Sequence, residues 1–141
     1  MKITLNPNAL SAAERDSKVA EGGFGKYYTD PVSYTHLTLP TKASEPELKA
    51  YGPLTLDPAT AVFHYGQEIF EGMKAYRQPD GSVALFRPEA NAQRFNRSAK
   101  RLALPELPIE TFIETVEALV KQDIGWVPNK VGESLYIRPF M

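Results

Sequence analysis

The chain reverses at Pro79-Asp80-Gly81-Ser82, and that turn constrains its fold more than any other local feature. Asp-Gly stands between two short runs, Met73-Lys74-Ala75-Tyr76 before it and Val83-Ala84-Leu85-Phe86 after it. Such a dipeptide tolerates the backbone angles of a tight reversal, so the pattern predicts a β-hairpin. Beyond the hairpin the period becomes helical. Pro88 suits a first helical turn, where its missing N–H is no loss. Ala92, Phe95, Ala99 and Leu102 then recur at spacings of three and four, giving that helix one apolar face. A second helix is expected after Pro108, with Ile113, Val116 and Val120 as its stripe and Gly125 beyond its end. Leu135 and Ile137 alternate with Tyr136 and Arg138, which predicts a strand carrying tyrosine and arginine on one face.

Upstream of the hairpin the pattern is weaker. Residues 1–23 are polar, end in Glu21-Gly22-Gly23 and read as an irregular arm. Tyr27 and Tyr28 are suited to opening a strand. Pro31, Pro40 and Pro46 make residues 31–50 a loop by expectation, since each removes a backbone donor and biases its predecessor away from helix. Leu54 and Leu56 alternate with Thr55 and Asp57 as in a short half-buried strand. Val62 to Phe70 reads as helix ending near Gly72, where the absence of a Cβ permits a left-handed backbone or a close approach. No internal repeat is evident. The order strand, hairpin, two helices, strand implies an α+β domain whose antiparallel sheet is covered on one side.

Composition narrows the class of function. At 141 residues, 43% hydrophobic and 23% charged, the chain fits one soluble globular domain, 24–141, behind its arm. A net charge of -1 provides no basic field for a phosphate backbone, so no nucleic-acid partner is expected. The absence of cysteine excludes disulfides and thiolate metal sites, and His36 and His64 are poor material for a metal centre. With no apolar leader segment and no membrane-length apolar run, a cytoplasmic protein without membrane partners is the expectation.

Three groups of side chains carry potential chemistry. Arg94, Arg97 and Arg101 form a basic stripe on the first long helix. A guanidinium there has the fixed donor fork that binds phosphate, although a solvated basic face has the same pattern. Tyr136 and Arg138 lie at i and i+2 of a strand and so converge on one small ligand, or form an exposed pair on an edge strand. Phe24, Tyr65 and Phe70 are either plain core or the walls of an apolar pocket. His64, beside Tyr65, reads as a structural hydrogen-bonding residue.

The run from His64 to Arg77, with Leu85-Phe86-Arg87-Pro88, Asn91-Ala92-Gln93-Arg94, Trp126-Val127-Pro128 and Ser134-Leu135-Tyr136-Ile137-Arg138-Pro139, resembles the N-terminal domain of branched-chain amino acid aminotransferases. These are pyridoxal 5'-phosphate enzymes of fold type IV. The resemblance covers residues 51–141 almost continuously and 22–30 more briefly. It implies that Arg94 contacts the cofactor phosphate. It further implies that Tyr136 and Arg138 position the substrate near its carboxylate, and that Phe24, Tyr65 and Phe70 wall the aliphatic pocket. Tyr65 would act across a homodimer interface. Amino acids and 2-oxo acids are the implied small-molecule substrates. Related D-amino acid aminotransferases and aminodeoxychorismate lyases share the scaffold, but Phe-Glu-Gly-Met-Lys-Ala-Tyr and Leu-Tyr-Ile-Arg-Pro favour branched-chain substrates.

The same resemblance implies a fragment. Transamination needs a Schiff-base lysine, and none of Lys26, Lys74, Lys100 and Lys121 occupies the family's position for it. In the family that lysine lies in a second, large domain, so the chain alone is expected to be inactive. A noncatalytic binding module on the same scaffold is the alternative. Residues 31–43 depart from the family's pattern: either a fusion or an assembly artefact stands there, or a genuine insert that disturbs the strand supporting Phe24.

Overall fold

The structure, a computed structural model, describes residues 2–3, 10–21, 35–38 and 47–141. Two three-stranded sheets and four helices make up the described α+β architecture. The first sheet joins β1 (Lys2–Ile3), β2 (Thr35–Thr38) and β3 (Glu47–Ala50) in the order β1-β3-β2, with β3 parallel to β1 and antiparallel to β2. The second joins β4 (Met73–Arg77), β5 (Val83–Leu85) and β6 (Leu135–Ile137) in the order β5-β4-β6, antiparallel throughout.

The hairpin forms as its turn chemistry requires. Gln78 N–H donates to the Ser82 carbonyl at 2.8 Å, and the Asp80 carboxylate accepts from the Ser82 N–H and hydroxyl. Arg77 then ties the hairpin to the chain beyond the second long helix, donating to the carbonyls of Gly81, Ile124 and Val127.

Helices α3 (Pro88–Arg101) and α4 (Ile109–Gln122) cover one face of this second sheet. Ala92, Phe95 and Ala99 from α3 meet Phe112, Val116 and Val120 from α4, together with Met73, Ala75 and Ile137 of the sheet. The rings of Phe95 and Phe112 lie tilted with centroids 5.5 Å apart, a geometry aromatic quadrupoles favour. Asn96 closes the connection between the helices: its amide donates to the Leu107 carbonyl at 2.7 Å and its Oδ1 accepts the Leu107 N–H at 2.9 Å.

Several expectations are corrected. The arm contains helix α1 (Ala12–Glu21), started by a reciprocal cap in which Glu14 accepts from the Ser11 N–H and hydroxyl while Ser11 Oγ accepts the Glu14 N–H; Ser-x-x-Glu is a capping box. Residues 31–50 are not loop throughout, because β2 lies between Pro31 and Pro40, β3 follows Pro46, and the two pair in register. Leu54 and Leu56 form no strand and stay exposed; their alternation finds no partner strand to complete its backbone hydrogen bonds. The helix expected to reach Phe70 is only α2 (Ala61–Tyr65), because Gly66 adopts a left-handed φ of 59° and closes it. Leu102 sits past the end of α3 and is exposed. Tyr27 and Tyr28 lie outside the described residues.

Candidate functional site

Strand parity places the site. The β4–β6 pairing runs in one register beyond the formal strands: Met73 opposes Ile137, Lys74 opposes Tyr136, and Phe70 opposes Phe140. Backbone bonds continue it, with Glu71 N–H donating to the Pro139 carbonyl at 2.8 Å and Ile69 exchanging two 2.9 Å bonds with Met141. Alternate residues take opposite faces. Ile69, Glu71, Met73 and Ala75 therefore point to the helices and are buried, whereas Phe70, Gly72, Lys74 and Tyr76 face the open side. Directly across, Tyr136 and Arg138 share that open side.

On the open side Arg138 is braced by aromatics. Its Nε and Nη2 donate to the Tyr136 hydroxyl at 3.0 and 2.7 Å. The guanidinium carbon stands 4.4 Å from the centre of the Phe70 ring and 5.1 Å from that of Tyr136, within cation–π range. Tyr136 leans across the strand to lie over Gly72, where a Cβ would come within 2.6 Å of the hydroxyl. Only a residue without a side chain leaves room for this packing.

On the covered side stands an ion pair. Glu71 is 3% exposed, and Arg94 of α3 meets it in a bidentate fork, Nε to Oε1 and Nη2 to Oε2, both 2.6 Å. Asn91, one helical turn earlier on the same face, donates to Oε2 at 2.9 Å. Burial alone would raise the carboxyl's pKa, but the bonds from Arg94 and Asn91 and the arginine's charge outweigh it and hold Glu71 below the ordinary glutamate range. The same contacts push Arg94 upward. The Arg94 side chain remains 58% exposed, with Nη1 unengaged among the described residues.

The expected site residues are thus only partly assembled. Phe70, Tyr136 and Arg138 form one cluster, and Arg94 lies on the other side of the same strand with Glu71. Tyr65, 85% exposed, has its ring 6.3 Å from that of His64, and no ring contact joins it to Phe70 among the described residues. His64 bonds the Pro58 carbonyl at 2.8 Å. Phe24 and Lys26 lie outside the described residues. Arg97 and Arg101 are exposed, as a solvated face requires. A groove of about 350 Å³ lined by Tyr76, Gln78, Ala84, Leu85 and Phe86 lies farther along the hairpin and contains none of these candidates.

Sequence reasoning missed Glu71 as a site residue. Its signal is a carboxylate at an inward position of an otherwise apolar alternation, facing a helix with Asn and Arg three residues apart. Among the described residues no group of His, Cys, Asp and Glu is arranged to hold a metal ion, and no helix is long and apolar enough to cross a membrane.

No protein-family model matches the chain. Similarity to individual proteins is extensive. The chain is 55% identical over 142 residues to a probable branched-chain-amino-acid aminotransferase of Streptomyces coelicolor, covering 99% of this chain and 39% of the relative. It is 51% identical over 140 residues to the branched-chain-amino-acid aminotransferase of Mycolicibacterium smegmatis, covering 99% and 38%. Among solved structures, a branched-chain amino acid aminotransferase complexed with N-(5'-phosphopyridoxyl)-L-glutamate is similar at 31% identity and TM-score 0.47, over 56% of this chain and 24% of that one. Identity of 55% and 51% over 99% of this chain makes the two curated relatives its homologues, and both are aminotransferases. More narrowly, these homologues are branched-chain-amino-acid aminotransferases, and the chain spans a little over a third of their length.

Proposed function

We propose that the polypeptide to which this chain belongs is a pyridoxal 5'-phosphate-dependent aminotransferase of fold type IV, acting as a cytoplasmic homodimer. It moves the amino group of leucine, isoleucine or valine to 2-oxoglutarate. The observation that carries the reading is the 55% identity over 142 residues to the Streptomyces coelicolor relative. Residues 24–141 are its small domain.

The residues present fit the cofactor in one respect that geometry supports: the Arg94 side chain is more than half exposed and its Nη1 is unengaged among the described residues while its Nε–Nη2 edge is fixed, and a guanidinium edge suits a phosphate oxygen. When bound, the pyridoxal ring supplies the electron-withdrawing system through which amino groups are exchanged. Arg94 holds the phosphate end. Arg138, steadied by the Tyr136 hydroxyl and the Phe70 ring, orients a substrate carboxylate. Phe70 and Phe24 exclude water from the aliphatic side chain, and the exposed Tyr65 completes the wall of the neighbouring subunit's pocket. This chain provides no proton-shuttling lysine and is inactive alone.

The test is transaminase assay of the uninterrupted reading frame and of this chain, each with added cofactor. Turnover of L-leucine, L-isoleucine and L-valine by the former and none by the latter is expected. Preference for a D-amino acid, lyase activity on aminodeoxychorismate, or no catalysis by the complete polypeptide would overturn the assignment. Turnover by the chain alone would overturn its predicted inactivity.

A further inference from the structure

We propose that Glu71 is a positioning residue for anion recognition: with Asn91 it fixes the Arg94 guanidinium so that the Nη1 edge is presented to the phosphate of the cofactor. The inference rests on the reading of Arg94 as phosphate anchor and adds what makes that anchor rigid.

An exposed arginine ordinarily samples many rotamers, and ordering it costs binding free energy. Arg94 is 58% exposed, yet two of its nitrogens are held at 2.6 Å by a carboxylate that is itself 3% exposed. The glutamate bearing that carboxylate is held through both backbone and side chain. Its backbone N–H is in the β4–β6 pairing through Pro139, its Oε2 accepts from Asn91, and its neighbour Gly72 offers a carbonyl 3.3 Å from the same Asn91 amide. A planar fork gripped along its Nε–Nη2 edge loses its freedom to rotate, and the Nη1 hydrogens point away from the carboxylate.

Electrostatics alone argues the opposite effect. Glu71 cancels much of the charge an approaching phosphate would meet, so removing its charge should strengthen anion binding if field were all that mattered. Positioning predicts weakening. The sign of the change therefore separates the two roles.

The experiment measures dissociation constants of pyridoxal 5'-phosphate and of pyridoxal by equilibrium absorbance in the complete polypeptide, for wild type, Glu71→Gln, Glu71→Asp, Asn91→Ser and Arg94→Ala. The constant for pyridoxal divided by that for pyridoxal 5'-phosphate isolates the phosphate's contribution. This ratio is expected to fall about tenfold or more in both Glu71 variants, the scale of one lost charge-assisted bond, and by less in Asn91→Ser. An unchanged or larger ratio in folded Glu71→Gln overturns the proposal. If both Glu71 variants fail to fold, Asn91→Ser decides, and an unchanged ratio there overturns it. Should Arg94→Ala leave the ratio intact, the parent reading of Arg94 fails and takes this proposal with it. A fall in Arg94→Ala without one in the Glu71 variants overturns the positioning role alone.

Discussion

Replacing Gly72 with alanine puts a methyl group where the Tyr136 hydroxyl lies. An ideal Cβ would sit 2.6 Å from that oxygen and 3.3 Å from the ring carbon bearing it. Restoring ordinary van der Waals separation requires the hydroxyl to retreat by roughly 1 Å. The oxygen is not free to do so at no cost, because it accepts two bonds from Arg138 at 3.0 and 2.7 Å. Overpacking of this kind costs about 1–3 kcal/mol. It is partly offset by the ~0.4–1 kcal/mol that alanine gains over glycine through a less flexible unfolded chain. The net destabilisation is about 1–2 kcal/mol.

Truncating Tyr136 to phenylalanine removes the oxygen, leaving the 3.3 Å contact as the tightest. Gly72→Ala is then expected to be nearly neutral. Urea unfolding at pH 7 of wild type, both single variants and the double variant measures the coupling, expected at about 1–2 kcal/mol with the double variant more stable than additivity allows. Equal costs of Gly72→Ala in the two backgrounds would refute the diagonal packing of tyrosine over glycine, and with it the reason for glycine at this position.

Asn96→Ala removes both bonds to the Leu107 backbone and should cost about 1–3 kcal/mol by the same urea measurement; a change within error would mean that solvent replaces the asparagine. Glu71 makes stability acid-sensitive in a defined direction. Its folded pKa is lowered, so its contribution is complete above the unfolded value of about 4.3 and is lost as pH falls through the lower folded value. The stability gap between wild type and Glu71→Gln should therefore be constant near neutral pH and shrink toward pH ~3, and a gap that widens on acidification would contradict the ion-pair account.

Legibility in the sequence tracked the range of the interactions involved. The hairpin at Asp80-Gly81, the helices after Pro88 and Pro108, and the alternation at Leu135–Arg138 are set by neighbours a few residues apart, and the structure contains each of them. The capping box at Ser11 and Glu14 was equally local and was hidden only by the polar composition around it. Strands β2 and β3 were obscured because proline signals mark where a strand stops and say nothing of what pairs between them. Leu54 and Leu56 show the converse, since alternation without a partner strand forms no ladder.

The candidate site is legible in the sequence as types of residue but not as an arrangement, and strand parity explains why. Glu71 and Gly72 are adjacent, so one side chain must enter the helix-covered side while the other position faces the open side. Glu71 there captures Arg94, and the bare Cα of Gly72 receives Tyr136. Two arginine clusters, one on each side of the sheet, are thus set by consecutive residues of a single strand. The register of β6 fixes the second group: a one-residue slip would send Tyr136 and Arg138 into the core and turn Ile137 to the open face. The bonds from Ile69 to Met141 and from Glu71 to Pro139 continue that register past the formal strand ends. They hold the aromatic-braced arginine and the carboxylate-gripped arginine in fixed relation across the sheet.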